Sequence, residues 1–268
     1  METPIDRAYE NSPFIPNADT FDRHWATEAR RFRQTGECRL DVAYGLGPRE
    51  RYDLFLPEGT PKGLAVFIHG GYWMAFDKTF FSHLAAGPRA KGFAVLVPSY
   101  PLCPQVKVSG ITRAVASAIA HAAEGVPGPI TVCGHSAGGH LAARMACREA
   151  PLPAAIAARL VRAVPISGLH DLRPLMATRM NETLQLDRAE ARAESPVLCD
   201  PAAVDLVAWV GDGERPQLRR QTRLLAMIWE GLAASVTYHE APDRHHFDVI
   251  ADLTDPNSAL TAAVTAVS

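Results

Sequence analysis

Cysteine is scarce, and its pattern excludes two classes at once. Cys38, Cys103, Cys133, Cys147 and Cys199 are scattered, no pair has C-x-x-C spacing, and the count is odd. A complete disulfide framework is therefore not expected, and a reducing, cytoplasmic compartment is the simplest expectation. Charge of one sign is also missing. The formal net charge of −2 offers nothing to a polyanion, so no nucleic-acid partner is expected. No apolar run approaches membrane-spanning length, and the alanine-rich stretch 114–123 suits a helix packed on a sheet. Met1-Glu2-Thr3-Pro4-Ile5-Asp6-Arg7 has neither a basic n-region nor an apolar h-region, which argues against a signal peptide. Internal repeats and low-complexity linkers are absent. The remainder is ordinary for a globular enzyme: 268 residues, 47% hydrophobic and 21% charged, compatible with one large domain over 1–268.

What is present begins with Gly134-His135-Ser136-Ala137-Gly138. A β-type run, Ile130-Thr131-Val132-Cys133, precedes it, and a helical pattern, Leu141-Ala142-Ala143-Arg144-Met145-Ala146, follows. Strand, tight turn and helix form the context of a G-x-S-x-G nucleophile elbow. The glycines let the serine sit at a sharp, strained turn where a neighbouring Cβ would clash. The plain alternative is a glycine-rich helix start with a surface serine. A second motif shifts the balance. His69-Gly70-Gly71 follows another apolar run, Leu64-Ala65-Val66-Phe67-Ile68. An H-G-G turn after the third strand supplies backbone N–H groups for an oxyanion hole, and the two motifs stand in the chain order of an α/β-hydrolase.

The rest of the chain fits that order. Residues 1–36 read as an N-terminal arm and a helix near 19–33. Residues 39–44 and 51–56 flank Gly45-Leu46-Gly47-Pro48 and read as a hairpin. Strand patterns follow at 64–68, 94–97, 130–133, 160–166, 203–210 and 235–238, with helical patterns at 80–91, 111–123, 137–149 and 216–230. This alternation predicts an α/β fold: a mostly parallel central sheet covered by helices on both faces, entered through an antiparallel N-terminal hairpin. Residues 169–202, with Pro174, Pro196 and Pro201, interrupt the rhythm and are candidates for a small cap or for a surface excursion.

A serine nucleophile needs a base, and the base needs an orienting carboxylate. The chain order in this fold is serine, acid, histidine. The base belongs on the loop after the last strand, just before a final helix. That selects His246, ahead of Phe247-Asp248-Val249-Ile250, with His245 as the rival. Neither has H-E-x-x-H or Cys/His metal spacing around it, so no metal is expected. The acid belongs after the seventh strand. The common G-x-x-[DE] spacing counted from Gly211 selects Glu214, with Asp212 as the alternative.

These residues resemble the serine-hydrolase type of kynurenine formamidase, an arylformamidase related to hormone-sensitive-lipase-like esterases. The motifs that carry the resemblance are His69-Gly70-Gly71-Tyr72-Trp73, Gly134-His135-Ser136-Ala137-Gly138-Gly139-His140 and His246-Phe247-Asp248-Val249-Ile250. Tyr44-Gly45, Asp53-Leu54-Phe55, Tyr100-Pro101-Leu102-Cys103-Pro104 and Glu214-Arg215-Pro216 with Arg220-Gln221 add to it, so it runs from about residue 40 to the C-terminus. The resemblance implies that Ser136 is the nucleophile and His246 the base, with Gly70, Gly71 and Ala137 forming the oxyanion hole. It implies hydrolysis of N-formyl-L-kynurenine to L-kynurenine and formate, a step of tryptophan catabolism, with no cofactor. Tyr72 and Trp73 would then line the aryl side of the substrate or simply pack the loop. Family members often carry Asp where this chain has Glu214. The partner expected is a small molecule rather than a membrane, with a homodimer left open. A carboxylesterase or thioesterase for small acyl esters is the alternative within the same chemistry. A non-catalytic binding protein on the same fold is a third reading, and the complete Ser/acid/His set argues against it.

Overall fold

The computed structural model describes residues 3–267. Eight strands form one sheet: β1 (Cys38–Ala43), β2 (Arg51–Phe55), β3 (Leu64–Ile68), β4 (Ala94–Pro98), β5 (Ile130–His135), β6 (Leu160–Ile166), β7 (Asp205–Gly211) and β8 (Ser235–Ala241). Their order is β1-β2-β4-β3-β5-β6-β7-β8. The β1–β2 and β2–β4 pairs are antiparallel and the remaining pairs parallel, which is the expected hairpin leading into a parallel sheet. The helices are α1 (Pro4–Tyr9), α2 (Ala18–Phe32), α3 (Ala86–Ala90), α4 (Val108–Glu124), α5 (Ala137–Met145), α6 (Ala154–Ala157), α7 (Asn181–Leu184), α8 (Arg188–Ala193), α9 (Pro216–Trp229) and α10 (Ala259–Thr265).

The period-2 geometry of a strand explains the two cores. On β3, Leu64, Val66 and Ile68 face one side and Ala65 and Phe67 the other. On β7, Leu206 and Ala208 oppose Val207 and Trp209 in the same way. The first face is covered by α4, α5 and α9 through Ile111, Val115, Leu141, Leu225 and Trp229. The second is covered by α2 and α10 through Trp25, Leu260 and Val264. A strand buried on both faces has no polar side, which is why β3 and β4 read as continuous apolar runs.

Two expectations change. The helix expected over 80–91 is broken into 3-10 turns at Lys78–Phe80 and Ser82–Ala85 before α3. Pro88 has no N–H to donate to the carbonyl four residues back, so a regular helix cannot run through it from Leu84. The segment 169–202 packs Leu169, Leu172, Leu175, Leu184, Leu186 and Val197 into the first core. It also takes hold of the N-terminal arm: the Arg179 N–H donates to Asp6 Oδ1 at 2.6 Å. That bond, with those from Thr3, holds the Asp6 carboxyl down at about 2.

The loop after β3 is tied to the hairpin by a buried charge cluster. Lys78 Nζ lies 2.8 Å from Asp53 on β2 and 2.6 Å from Asp41 on β1. Lys78 and Asp53 are both buried, and Asp53 Oδ1 also accepts from the Asp41 N–H. Removing one partner of such a pair strands the other charge in a low-dielectric interior, which costs about 3–5 kcal/mol. Lys78→Ala is therefore expected to lower the urea midpoint markedly. The double variant Lys78→Met/Asp53→Leu should recover most of the loss in the same unfolding experiment, and equal loss in both would contradict this assignment.

Buried histidines set the acid limit of the fold. His69, His83, His135, His140 and His170 are buried, and burial pushes each imidazole below its ordinary range, to about 4 for His69 and His83 and about 3 for His140. The unfolded chain takes up these protons near pH ~6.5 while the folded chain does not. Stability is thus full above that pH and falls as the pH drops toward the folded values, by about 1.4 kcal/mol per pH unit for each histidine that stays neutral. Urea midpoints measured from pH 7.5 down to 5 should fall steeply, and a flat profile would show that these side chains protonate in place.

Candidate active site

Ser136 joins β5 to α5 with φ 56° and ψ −117°, a conformation a residue with a Cβ adopts only under constraint. The constraint is visible. The Ser136 N–H donates to the Ile166 carbonyl on β6 at 2.9 Å, and its carbonyl accepts from the His140 N–H at 3.0 Å. Gly138 lets α5 press against β3, since a Cβ there would lie 2.0 Å from the Ile68 carbonyl oxygen. The turn presents Oγ at the C-terminal ends of the parallel strands, where such sheets place their ligands.

The loops after β7 and β8 bring a histidine and a carboxylate to that hydroxyl. Ser136 Oγ lies 3.0 Å from His246 Nε2, and His246 Nδ1 lies 2.7 Å from Glu214 Oε2. All three residues are buried. An ionised carboxylate only accepts, so Nδ1–H donates to Glu214 and Nε2 is left to accept from the serine. The other Glu214 oxygen accepts from the Gly211 N–H at 3.0 Å and from the Ser167 hydroxyl. The rivals are elsewhere. Asp212 is exposed, and its N–H donates to the Ala241 carbonyl. His245 packs edge-on against Phe21 and faces Asp248 at 3.3 Å. The regular helix expected from Phe247 does not form. Asp248 Oδ1 accepts from the His245 N–H at 2.7 Å, which stabilises a run of turns, and a 3-10 turn follows at Ala251–Thr254.

The His69-Gly70-Gly71 loop passes over the same point. Gly71, Tyr72 and Trp73 take φ of 106°, 50° and 60°, three successive residues in the left-handed region. A Cβ on Gly71 would also lie 2.5 Å from the Ala75 carbonyl oxygen. Among the described residues, the N–H groups of Gly70 and Gly71 donate to no backbone carbonyl. Ala137 is the first residue of α5, so its N–H has no partner within the helix. The loop is held from below. The Tyr100 hydroxyl donates to the His69 carbonyl at 2.7 Å, and the Tyr100 ring stacks on His69 at 4.2 Å.

Trp73 corrects an expectation: it does not line the substrate space. Its left-handed backbone turns the indole into the core, where it is fully buried and Nε1–H donates to His140 Nδ1 at 3.3 Å. His140 Nε2–H in turn donates to the Glu194 carbonyl at 2.6 Å, so His140 braces the loop. Tyr72 does border the cavity, but its hydroxyl is committed to the N-terminal arm, accepting from Asn11 Nδ2 at 2.7 Å and donating to the Tyr9 carbonyl at 2.5 Å.

A cavity of about 680 Å³ opens beside Ser136, His246, Gly70 and Gly71. Its apolar walls are Trp25, Phe76, Phe81 and Phe247, and Asp19 and Asp22 stand on the α2 side. Among the described residues, no Lys or Arg lines it, and no residue of 169–202 does. The arm and α2 are therefore the cover over this site. Sequence reasoning missed these wall residues and Ser167, because only tertiary packing brings them there. The one available sign was the aromatic content of residues 1–36.

The chain matches the model of the alpha/beta hydrolase family over residues 65–266. Among curated relatives, it is 29% identical to a kynurenine formamidase of Danio rerio over 86% of this chain and 82% of the relative. It is 30% identical to a kynurenine formamidase of Salmo salar over the same shares. Among solved structures, a Silicibacter protein provisionally assigned as a thioesterase superposes with a TM-score of 0.94 at 47% identity, over 98% of this chain and all of that one. The elbow between β5 and α5, the parallel sheet that carries it and this family match agree: the chain is a hydrolase belonging to the alpha/beta hydrolase family.

Proposed function

We propose that the protein is an arylformamidase that hydrolyses N-formyl-L-kynurenine to L-kynurenine and formate through Ser136, His246 and Glu214. The observation that carries the hydrolytic part is the continuous contact Ser136 Oγ–His246 Nε2–His246 Nδ1–Glu214 Oε2 at 3.0 and 2.7 Å. Ser136 Oγ attacks the formyl carbon as its proton passes to His246 Nε2. The oxyanion is received by the free N–H groups of Gly71 and Ala137, with Gly70 lending the close approach; one such donor is worth about 2.7–4 kcal/mol in the transition state. Collapse breaks the C–N bond while His246 returns the proton to the arylamine nitrogen. Water, deprotonated by His246, then releases formate and restores the serine.

Two features favour the aryl substrate. The walls Trp25, Phe76, Phe81 and Phe247 offer flat apolar surface to a ring, a role first expected of Trp73. Asp19 and Asp22 offer charge to an α-ammonium group. The formamidase names of the relatives from Danio rerio and Salmo salar support the same reading. A second reading, a thioesterase for small acyl groups, is favoured by the 47% identity to the Silicibacter protein. The two are separated by kcat/KM for N-formyl-L-kynurenine, p-nitrophenyl acetate, p-nitrophenyl butyrate and an acetyl thioester, each divided by its uncatalysed rate. The formamide is expected to lead, and a lead by the thioester or the butyrate would replace the formamidase reading.

Ser136→Ala and His246→Ala are expected to be about equally damaging, with losses on the order of 10⁶ in kcat, because nucleophile and base act as one unit. His245→Ala should be mild. Glu214→Gln should cost about 10⁴ by favouring the wrong imidazole tautomer, and Asp212→Asn little. Steady-state kinetics of folded variants checks this, and an inactive Asp212→Asn beside an active Glu214→Gln would reverse the acid assignment.

Asp22→Asn is expected to raise KM for N-formyl-L-kynurenine by about 1.5- to 5-fold, the worth of an exposed ion pair of ~0.2–1 kcal/mol, with kcat unchanged. The same variant should leave p-nitrophenyl acetate hydrolysis as it is, and a parallel loss on both substrates would remove Asp22 from recognition.

A further inference from the structure

Away from the cavity, Cys147 and Cys199 form a dithiol cluster that the hydrolytic chemistry does not use. Cys147 stands just after α5, and Cys199 follows a 3-10 turn at Pro196–Leu198. The backbone stitches the two segments together. Cys147 and Pro201 form an antiparallel bridge, the Arg148 N–H donates to the Asp200 carbonyl at 2.8 Å, and the Ala202 N–H donates to the Ala146 carbonyl at 2.8 Å. Cys199 lies two residues from Pro201, so it shares a face with Cys147, as diagonal neighbours on an antiparallel pair do. Cys147 Sγ donates to the Ala143 carbonyl at 3.4 Å and Cys199 Sγ to the Ser195 carbonyl at 3.5 Å, so both sulfurs lie along this seam.

The surroundings make the pair unequal. Arg144 Nη1 donates to Cys199 Sγ at 3.4 Å, while Arg144 Nε holds Glu194 at 3.2 Å. Cys199 is partly exposed and Cys147 buried, and both are free thiols. The neighbouring Cys147 thiol, helped by the guanidinium, brings the Cys199 thiol down to about 7, while the same pairing and burial push Cys147 up. A partly exposed sulfur beside a cation, with a second, buried thiol on the same face across the backbone bridge, is the arrangement of an oxidisable cysteine with a resolving partner.

We propose that Cys199 and Cys147 are a reversible modification site, in which Cys199 reacts with a hydroperoxide and Cys147 resolves the product to an intrachain disulfide. The Cys199 thiolate attacks the O–O bond. An S–O bond forms, the O–O bond breaks, and the departing oxygen leaves as water or alcohol after protonation. The sulfur loses two electrons and the peroxide gains them. Cys147 then gives up its proton and attacks the Cys199 sulfur; the S–S bond forms and the S–O bond breaks with release of water.

The test uses the full chain, reduced, desalted and treated with one equivalent of hydrogen peroxide at neutral pH, then alkylated in denaturant and mapped by peptide mass. The expected product joins the peptides carrying positions 147 and 199 at a mass about 2 Da below their sum, and dithiothreitol reverses it. Cys38, the other partly exposed thiol, serves as the internal control and should remain alkylated. In Cys147→Ser, Cys199 should instead be trapped by dimedone as a sulfenic acid. Oxidation of Cys38 as fast as Cys199, or oxidised Cys199 with Cys147 still free to alkylate, would overturn the proposal. The wild-type map alone decides the matter if a variant fails to fold.

Discussion

The site depends on one constrained turn. Ser136 occupies a backbone conformation that a free serine avoids, and strain of this kind costs on the order of 1–3 kcal/mol. It persists because α5 is pressed onto the sheet at a spacing only glycine permits, with Gly138 against the Ile68 carbonyl and the Ser136 N–H bonded to β6. The turn places the hydroxyl and the first N–H of α5 side by side. Everything else is arranged to meet them. The loop after β3 carries a second run of strained residues, Gly71 to Trp73, and is pinned by Tyr100, His140 and the Lys78–Asp53 pair.

The polar groups of the site are braced rather than solvated. Glu214 is one methylene longer than an aspartate, and that length changes how the carboxylate must be held. Two protein donors, the Ser167 hydroxyl and the Gly211 N–H, converge on the oxygen that does not face His246. With that oxygen satisfied, the other is left to accept from Nδ1–H, which fixes the imidazole tautomer. His140 plays the same bracing part for the loop, bonded at both ring nitrogens and kept neutral by burial. In the proposed reaction, such preorganisation is what lets neutral N–H groups receive charge without rearrangement.

Much of this was legible in the sequence because it is local. The elbow, the H-G-G turn and the hairpin are each written in a few adjacent residues whose turn chemistry or periodicity has one economical solution. Spacing from Gly211 ranked Glu214 above Asp212, and the place just before Phe247 ranked His246 above His245; in the structure His246 Nδ1 lies 2.7 Å from Glu214, whereas His245 faces Asp248. What depends on distant packing was not legible. Trp73 sits one residue past Tyr72, but consecutive left-handed residues send the two rings to opposite sides, one to the cavity and one to the core. The walls from Ile15 to Trp25 come from an arm more than a hundred residues before the serine, and no local pattern links them. The segment 169–202 read as irregular because short helical pieces separated by prolines carry little periodicity, even though their leucines are core residues.

The most direct measurement of the central claim is covalent capture of the nucleophile. A fluorophosphonate should add once, at Ser136, as read by peptide mass, and should fail to add at a comparable rate when His246 is replaced by Ala. Labelling at another residue, or labelling of Ser136 that is indifferent to His246, would contradict the account of a serine activated at this turn by that histidine.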